Sequence, residues 1–142
     1  MASLLTDLGE EYALETALNG VTLTVGLYND GTDAITDTDD LAALTTEPAG
    51  ASYARQSDTF ALVDNGSGNW QLDNDTQLTF DTSDSSNTVD SYFIVANFTA
   101  DDTGDASVTD HMIATGALSQ SRDLSQIDTL NIDAGSAGFS LT

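Results

Sequence analysis

The spacing of apolar residues changes near residue 20. Before that point apolar side chains recur every three or four positions, which is the repeat of a helix face. They are Leu4, Leu5, Leu8, Tyr12, Ala13, Leu14, Ala17 and Leu18. Asn19-Gly20 is a helix stop signal. The pattern predicts one helix over residues 1–20, with an apolar surface so wide that its own sheet or a neighbouring subunit must cover it. Leu4, Leu5, Leu8 and Tyr12 are the predicted interface residues.

From residue 21 onward apolar and polar residues alternate, which is the period of a strand. Residues 21–28 predict a half-buried strand, and residues 89–98 predict a central strand because they are apolar on both faces. Shorter strands are predicted at 60–63, 70–72, 77–80, 112–118, 129–132 and 138–141. Seven or eight short strands with turns between them favour a mainly β fold, an antiparallel β-sandwich or jelly-roll-like domain over 21–142.

Two linkers are long and acidic. Residues 29–52 and 99–110 are rich in Asp, and the first contains few apolar residues apart from Leu41 and Leu44. Loops of this length in a compact domain are functional or mobile. Pro48, the only proline, marks an extended turn before the next strand.

The charge balance is extreme. The chain has 24 acidic residues, of which 20 are Asp, against two arginines and no lysine, so its formal net charge is -22. Such a charge destabilises a compact state by self-repulsion, whereas molar salt shortens the Debye length to about 3 Å and removes most of that repulsion. Hydrophobic residues make up 39% of the chain in strand-like alternation, which argues against a disordered acidic tail. The composition is similar to that of proteins from salt-loving archaea and their viruses.

The same charge excludes several partners. Two arginines cannot neutralise a run of phosphates, and anionic lipid surfaces would repel the chain, so we expect neither nucleic-acid nor membrane binding. There is no apolar run near the ~20 residues of a membrane span and no signal-peptide pattern, so we expect synthesis in the host cytoplasm without an encoded export route. Without Cys the chain has no disulfides and no thiolate metal sites.

Candidate catalytic chemistry is sparse. His111 is the only histidine, it follows Asp110 directly, and no nucleophile elbow is present. We interpret it as a histidine at the start of a strand, and we predict no catalytic residue and no cofactor. Residues 37–40 and 101–105 resemble oxygen-rich cation loops but do not match the EF-hand spacing. A solvated acidic face with loosely bound cations is the favoured interpretation, and no metal site is predicted.

Arg55 is the candidate structural residue. It stands in Tyr53-Ala54-Arg55-Gln56 at a predicted strand start, in a chain with only one other cation. The planar guanidinium suits bidentate contact with a carboxylate. We therefore predict that Arg55, with Tyr53, fixes a loop or a contact between subunits.

Several short segments resemble a family of small virion proteins from tailed phages, the head decoration or turret proteins that are often labelled tail-fibre-like. In chain order these segments occupy residues 23–28, 46–48, 53–56, 94–97, 114–118, 131–135 and 139–141. The similarity spans about residues 4–141, and the chain departs from the pattern in its acidity and in the Asp- and Asn-rich residues 57–88. The resemblance implies a β-sandwich virion component, and the charge implies an archaeal host.

Three functions follow as hypotheses. The first is a non-catalytic turret or decoration protein on the capsid surface, a homo-oligomer that contacts the major capsid protein or neighbouring virion proteins. The second is a tail or baseplate fibre component that contacts the host surface or its glycans, for which Trp70 is the only aromatic candidate, although such a residue more often belongs to a core. The third, a cellular sugar-binding module or hydrolase, lacks a convincing site.

Overall fold

The predicted N-terminal helix is present but shorter than residues 1–20. A computed structural model describes residues 5–64, 66, 68–99 and 108–141. Helix α1 runs over Asp7–Ala17, and the hydroxyl of Thr6 caps it by accepting a hydrogen bond from the Gly9 N–H at 3.2 Å. Helix α1 packs on strands β2 (Gln56–Asp64) and β3 (Trp70–Asn74).

The remaining chain is mainly β, as the alternating pattern predicts. The other strands are β1 (Thr22–Tyr28), β4 (Leu78–Asp81), β5 (Thr88–Phe98), β6 (Thr109–Asp123), β7 (Thr129–Ile132) and β8 (Gly138–Ser140). Strand β6 extends beyond the predicted 112–118 at both ends. A short helix α2 (Asp30–Asp33) and 3₁₀ turns at Leu41–Ala43 and Leu124–Gln126 lie in the connections.

The strands form two antiparallel sheets. The six-stranded sheet has the order β6-β5-β1-β2-β3-β8, and β4 pairs with β7 in a second sheet. The end strands β6 and β8 also contact each other, so the large sheet is nearly closed into a barrel. This arrangement is compatible with the predicted β-sandwich or jelly-roll-like fold.

The main core lies inside the curved sheet, where the inward residues of β1 and β5 meet those of the smaller sheet. Val25, Leu27 and Ile94 are fully buried there, as is Phe80 on β4. Trp70 is partly buried against this cluster, which agrees with its interpretation as a core residue.

A second, smaller cluster covers the opposite face of β1 and β5. Tyr28, Phe93 and Val95 form it, and the 29–52 linker supplies Leu41 and Leu44. The expectation of a half-buried β1 is therefore wrong: from Val25 to Tyr28 the strand is buried on both faces because this linker packs against it.

Candidate interaction surfaces

Helix α1 turns most of its large apolar side chains to solvent. Leu8 is 76% exposed, Tyr12 72% and Leu5 49%, whereas only Leu14 among the large apolar residues of α1 is buried. Leu8 and Tyr12 are four positions apart and therefore lie on one face of the helix, and Leu5 is exposed just before its first turn. We call these three predicted interface residues the α1 stripe. Leu4 lies outside the described residues.

The inward face of α1 contains a charged group. Glu10 is 2% exposed, and its Oε1 has no hydrogen-bond partner among the described residues. Burying an unpaired carboxylate oxygen is unfavourable, and so is exposing two large apolar side chains. The helix therefore has two faces that each require contacts, and the body of the chain covers only one of them.

An apolar groove of about 550 Å³ opens at the other end of α1. It lies where β6 and β8 approach, and none of the described residues that line it is charged. Its apolar lining includes Leu18, Val21, Phe98, Ile113, Phe139 and Leu141. Val21, Phe98 and Leu141 are 40–47% exposed. On a chain with a net charge of -22, an uncharged groove is a second surface at which a neighbour can pack without desolvating a carboxylate.

Arg55 forms the bidentate carboxylate pair that its sequence context predicts. Its Nε donates to Glu47 Oε1 at 2.7 Å and its Nη2 donates to Glu47 Oε2 at 2.8 Å. Glu47 belongs to the 29–52 linker, whereas Arg55 stands immediately before β2. The pair therefore ties the linker to the sheet, and whether it also contacts a second subunit stays a prediction.

Tyr53 contacts the same pair through its hydroxyl group, which donates a hydrogen bond to Glu47. Its hydroxyl accepts the Leu27 N–H at 2.9 Å and lies 3.2 Å from Glu47 Oε1, while its ring stacks on Phe80. Burial raises the pKa of Tyr53 and the nearby Glu47 raises it further, so the hydroxyl stays protonated. The hydrogen bonds to Glu47 raise the pKa of Arg55, which stays charged.

The Arg55 guanidinium also lies over an aromatic ring. Its Cζ is 5.0 Å from the centre of Phe93, in the range of a cation–π contact. Phe93 in turn covers Gly26 on β1 so closely that a side chain at position 26 would overlap the ring. Gly26, which interrupts an otherwise β-branched and apolar strand, thus creates the space that this stack occupies.

Many carboxylates of the 29–52 linker accept hydrogen bonds from other groups of the chain. In this respect the linker differs from the expected acidic face, whose carboxylates would contact only solvent and cations. Asp33 accepts the N–H and hydroxyl groups of both Thr45 and Thr46. Although partial burial acts to raise the pKa of Asp33, these hydrogen bonds outweigh it and hold the pKa below its ordinary value. The linker is therefore folded by its own acidic residues.

Asp40 clamps the linker to the edge of β6. Its Oδ2 lies 2.6 Å from His111 Nδ1, and its Oδ1 accepts the N–H groups of Met112 and Leu41, both at 2.7 Å. Partial burial alone would raise the pKa of Asp40, but these contacts lower it overall. The N–H of Met112 is on the edge of β6 that no described strand pairs with, so Asp40 also blocks this edge.

His111 is more than a residue at the start of a strand. Its Nε2 lies 2.9 Å from the Thr109 hydroxyl, so the ring connects a carboxylate to a hydroxyl in the order found in serine hydrolase triads. The ring also packs on Phe98, with the ring centres 4.9 Å apart. Asp40 also accepts two backbone N–H groups, so the arrangement holds the linker against the edge of β6. Residues 100–107, which include the acidic segment 101–105, lie outside the described residues.

A polar cleft of about 520 Å³ separates the 45–50 segment from the 84–88 turn. Asn87 Nδ2 donates to the Thr46 carbonyl at 2.7 Å, Asn29 Nδ2 donates to the Thr88 carbonyl at 3.0 Å, and the Ser52 N–H donates to Asp84 at 2.9 Å. These hydrogen bonds fix the two walls relative to each other. Sequence patterns do not predict this cleft, because its two walls are distant along the chain.

Among the described residues, no group of three or more His, Cys, Asp or Glu side chains is placed to hold a metal ion. Within the same residues, no helix is long and apolar enough to cross a bilayer. Loose cation binding by the acidic loops stays a prediction.

No family model, curated protein or solved structure matches this chain. The resemblance to tailed-virus virion proteins stays an expectation from the sequence.

Proposed function

We propose that this protein is a structural, non-catalytic component of the virion of a salt-adapted archaeal tailed virus, a turret or decoration protein on the capsid surface. The observation that carries the proposal is the α1 stripe: Leu8 and Tyr12 are more than 70% exposed on a chain with a net charge of -22. Exposed apolar surface of this kind marks a protein interface.

The stripe and the apolar groove suit assembly between copies. They are different surfaces of one chain, so contacts between stripe and groove would be head-to-tail. Such contacts build a ring where the rotation between copies closes and a filament where it does not. Neither Leu8 nor Tyr12 is charged, and neither are the described residues that line the groove, so these residues can pack together without burying a carboxylate. Molar salt would screen the remaining repulsion between two chains of charge -22. The acidic linkers would then face solvent, where the charge keeps the particle surface soluble.

The proposal is tested in purified virions in high salt. We expect mass spectrometry to find the protein in the particles and cryo-electron microscopy to place it on the capsid, in contact with the major capsid protein. Density at the tail or baseplate would instead support the host-contact hypothesis, and absence from purified particles would overturn a virion role.

The absence of catalysis is tested on the Asp40–His111–Thr109 arrangement. The purified protein in high salt should hydrolyse neither model esters nor glycans. Hydrolysis that is lost in Asp40→Asn or in His111→Gln, while circular dichroism stays unchanged, would overturn the non-catalytic role.

A further inference from the structure

We propose that the polar cleft between residues 45–50 and 84–88 is a binding site for a neutral sugar. Two independent observations point to a ligand there. The cleft volume of about 520 Å³ lies in the range of small-molecule sites, and Ser85 on its wall has a buried hydroxyl without a partner. Ser85 is only 6% exposed, and a buried polar atom of this kind requires an explanation.

Unused oxygen atoms converge at one point of the cleft wall. A side chain at Gly50 would meet Ser85 Oγ, Asp84 Oδ1 and the Asp84 carbonyl oxygen. Asp84 Oδ2 accepts the Ser52 N–H, whereas Asp84 Oδ1 accepts no hydrogen bond from any described residue. Glycine at position 50 thus lets the two walls meet where a side chain would clash. Asp84 Oδ1, beside this contact, keeps its lone pairs for a ligand hydroxyl.

The lining selects the chemical class of the ligand. Ten of the twelve lining residues have a hydroxyl, amide or carboxylate side chain, and none is basic or aromatic, so the cleft suits neither an anion nor an apolar molecule. Glu47, one of the two acids in the lining, is already neutralised by Arg55. A metal ion would need several charged ligands at short range, and the described residues provide no such cluster. A neutral molecule with several hydroxyl groups matches both the volume and the lining.

The cleft is already shaped for such a ligand. The side-chain amides of Asn29 and Asn87 and the carboxylate of Asp84 are held by hydrogen bonds to the opposite wall. A preformed site loses little conformational entropy on binding. Without an aromatic platform each copy should bind weakly, and an oligomer would gain from several copies acting together.

The experiment uses the ¹⁵N-labelled full chain in high salt. Glucose, galactose, mannose, N-acetylglucosamine and glucuronate are each titrated to about 50 mM, well above the Kd of a millimolar site. We expect at least one neutral sugar to give saturable shifts at the amides of Gly50, Ser85 and Asn87. Glucuronate should bind more weakly because its carboxylate approaches Asp84.

Two variants and one control connect the shifts to the cleft. Asp84→Asn keeps an acceptor for the Ser52 N–H but removes the charge, and it should raise the Kd for the sugar about tenfold or more. Ser85→Ala removes the buried hydroxyl and should also raise the Kd. Asp64→Asn is the matched control, because Asp64 is also exposed and also accepts a backbone N–H, at the far end of β2. It should leave the affinity unchanged.

Three outcomes would overturn the proposal. The first is that no neutral sugar gives a saturable shift, and the second is that the shifts are confined to other parts of the chain. The third is that, when the chain is also titrated with CaCl₂ and with spermidine, the cleft amides shift only with these cations. The test uses the isolated chain, so its failure would leave the virion role intact, and absence from virions would leave the sugar site intact.

Discussion

Replacing Arg55 tests how strongly the 29–52 linker is fixed to the sheet. Arg55→Ala leaves Glu47 without its partner, and Arg55→Lys keeps the charge but loses the two parallel N–H donors. The matched controls are Arg122→Ala and Arg122→Lys, which change the net charge equally at an exposed position. All four variants are melted in molar NaCl, where general charge repulsion is screened.

The burial of the pair sets the expected magnitude. The side chains of Arg55 and Glu47 are 32% and 23% exposed, between a surface pair worth at most about 1 kcal/mol and a buried pair whose disruption costs about 3–5 kcal/mol. We expect Arg55→Ala to lower the free energy of unfolding by about 2–3 kcal/mol, because Glu47 would keep only the Tyr53 hydroxyl as a donor and the contact of the guanidinium with Phe93 is lost. Arg55→Lys should cost about 1–2 kcal/mol.

For a domain of this size 1 kcal/mol corresponds to roughly 3–5 °C in Tm. The Arg55→Ala variant should therefore melt about 6–15 °C below the wild type, whereas the Arg122 variants should stay within about 2 °C. A double-mutant cycle with Glu47→Gln should assign most of the loss to the pair. If Arg55→Ala melts together with Arg122→Ala, the pair is a surface contact and the linker is held by its other hydrogen bonds.

Three further predictions concern the charge, the helix and the acidic linker. Circular dichroism during a NaCl titration should show loss of β structure towards about 0.1 M salt, where screening extends over about 10 Å, and an unchanged Tm across that range would contradict the role of charge repulsion. Leu8→Asp and Tyr12→Asp should change the free energy of unfolding by less than about 0.5 kcal/mol but convert multimers to monomers in mass photometry. Leu14→Asp should instead detach the helix from the sheet, because Leu14 is buried. Thr79→Asp, which adds an equal charge at an exposed position of β4, should change neither the stability nor the oligomeric state. Hydrogen bonds lower the pKa of Asp33 in the folded state, so its contribution to stability is complete above about pH 5 and is lost as the pH falls through the folded pKa. In urea denaturation at a series of pH values in high salt, Asp33→Asn should therefore reduce the loss of stability at acidic pH. An unchanged loss would contradict this assignment.

The pattern of apolar residues was sufficient to predict most strands, because β1 and β7 alternate along their length and β5 contains a continuous apolar run that is typical of a central strand. The same reasoning failed for the burial of β1, since alternation places residues on two faces but cannot show that a polar linker covers the second. The apolar residues of that linker, Leu41 and Leu44, are too few to predict the second cluster from their spacing.

The contacts at the candidate sites were harder to predict from the sequence than the strands were. The rarity of cations singles out Arg55 as a candidate for a carboxylate pair, but nothing in the sequence distinguishes Glu47 from the other acids. Asp40 and His111 are 71 residues apart, so only the fold brings them together. In α1, a face analysis predicts a partner for Leu8 and Tyr12, but it does not predict that Glu10 is the buried residue.

The internal role of Asp33 and Asp40 divides the carboxylates of this chain into two groups. Those that accept backbone N–H groups, such as Asp33, Asp40 and Asp84, replace turn and cap residues, and an uncharged substitute must preserve the acceptor. Others, including Asp37 and Glu11, accept no hydrogen bond from any described residue and contribute charge alone. Neutralising only the second group should give a version that folds in dilute buffer with its architecture intact, so tolerance of salinity and specification of the fold can evolve, and be engineered, at separate positions.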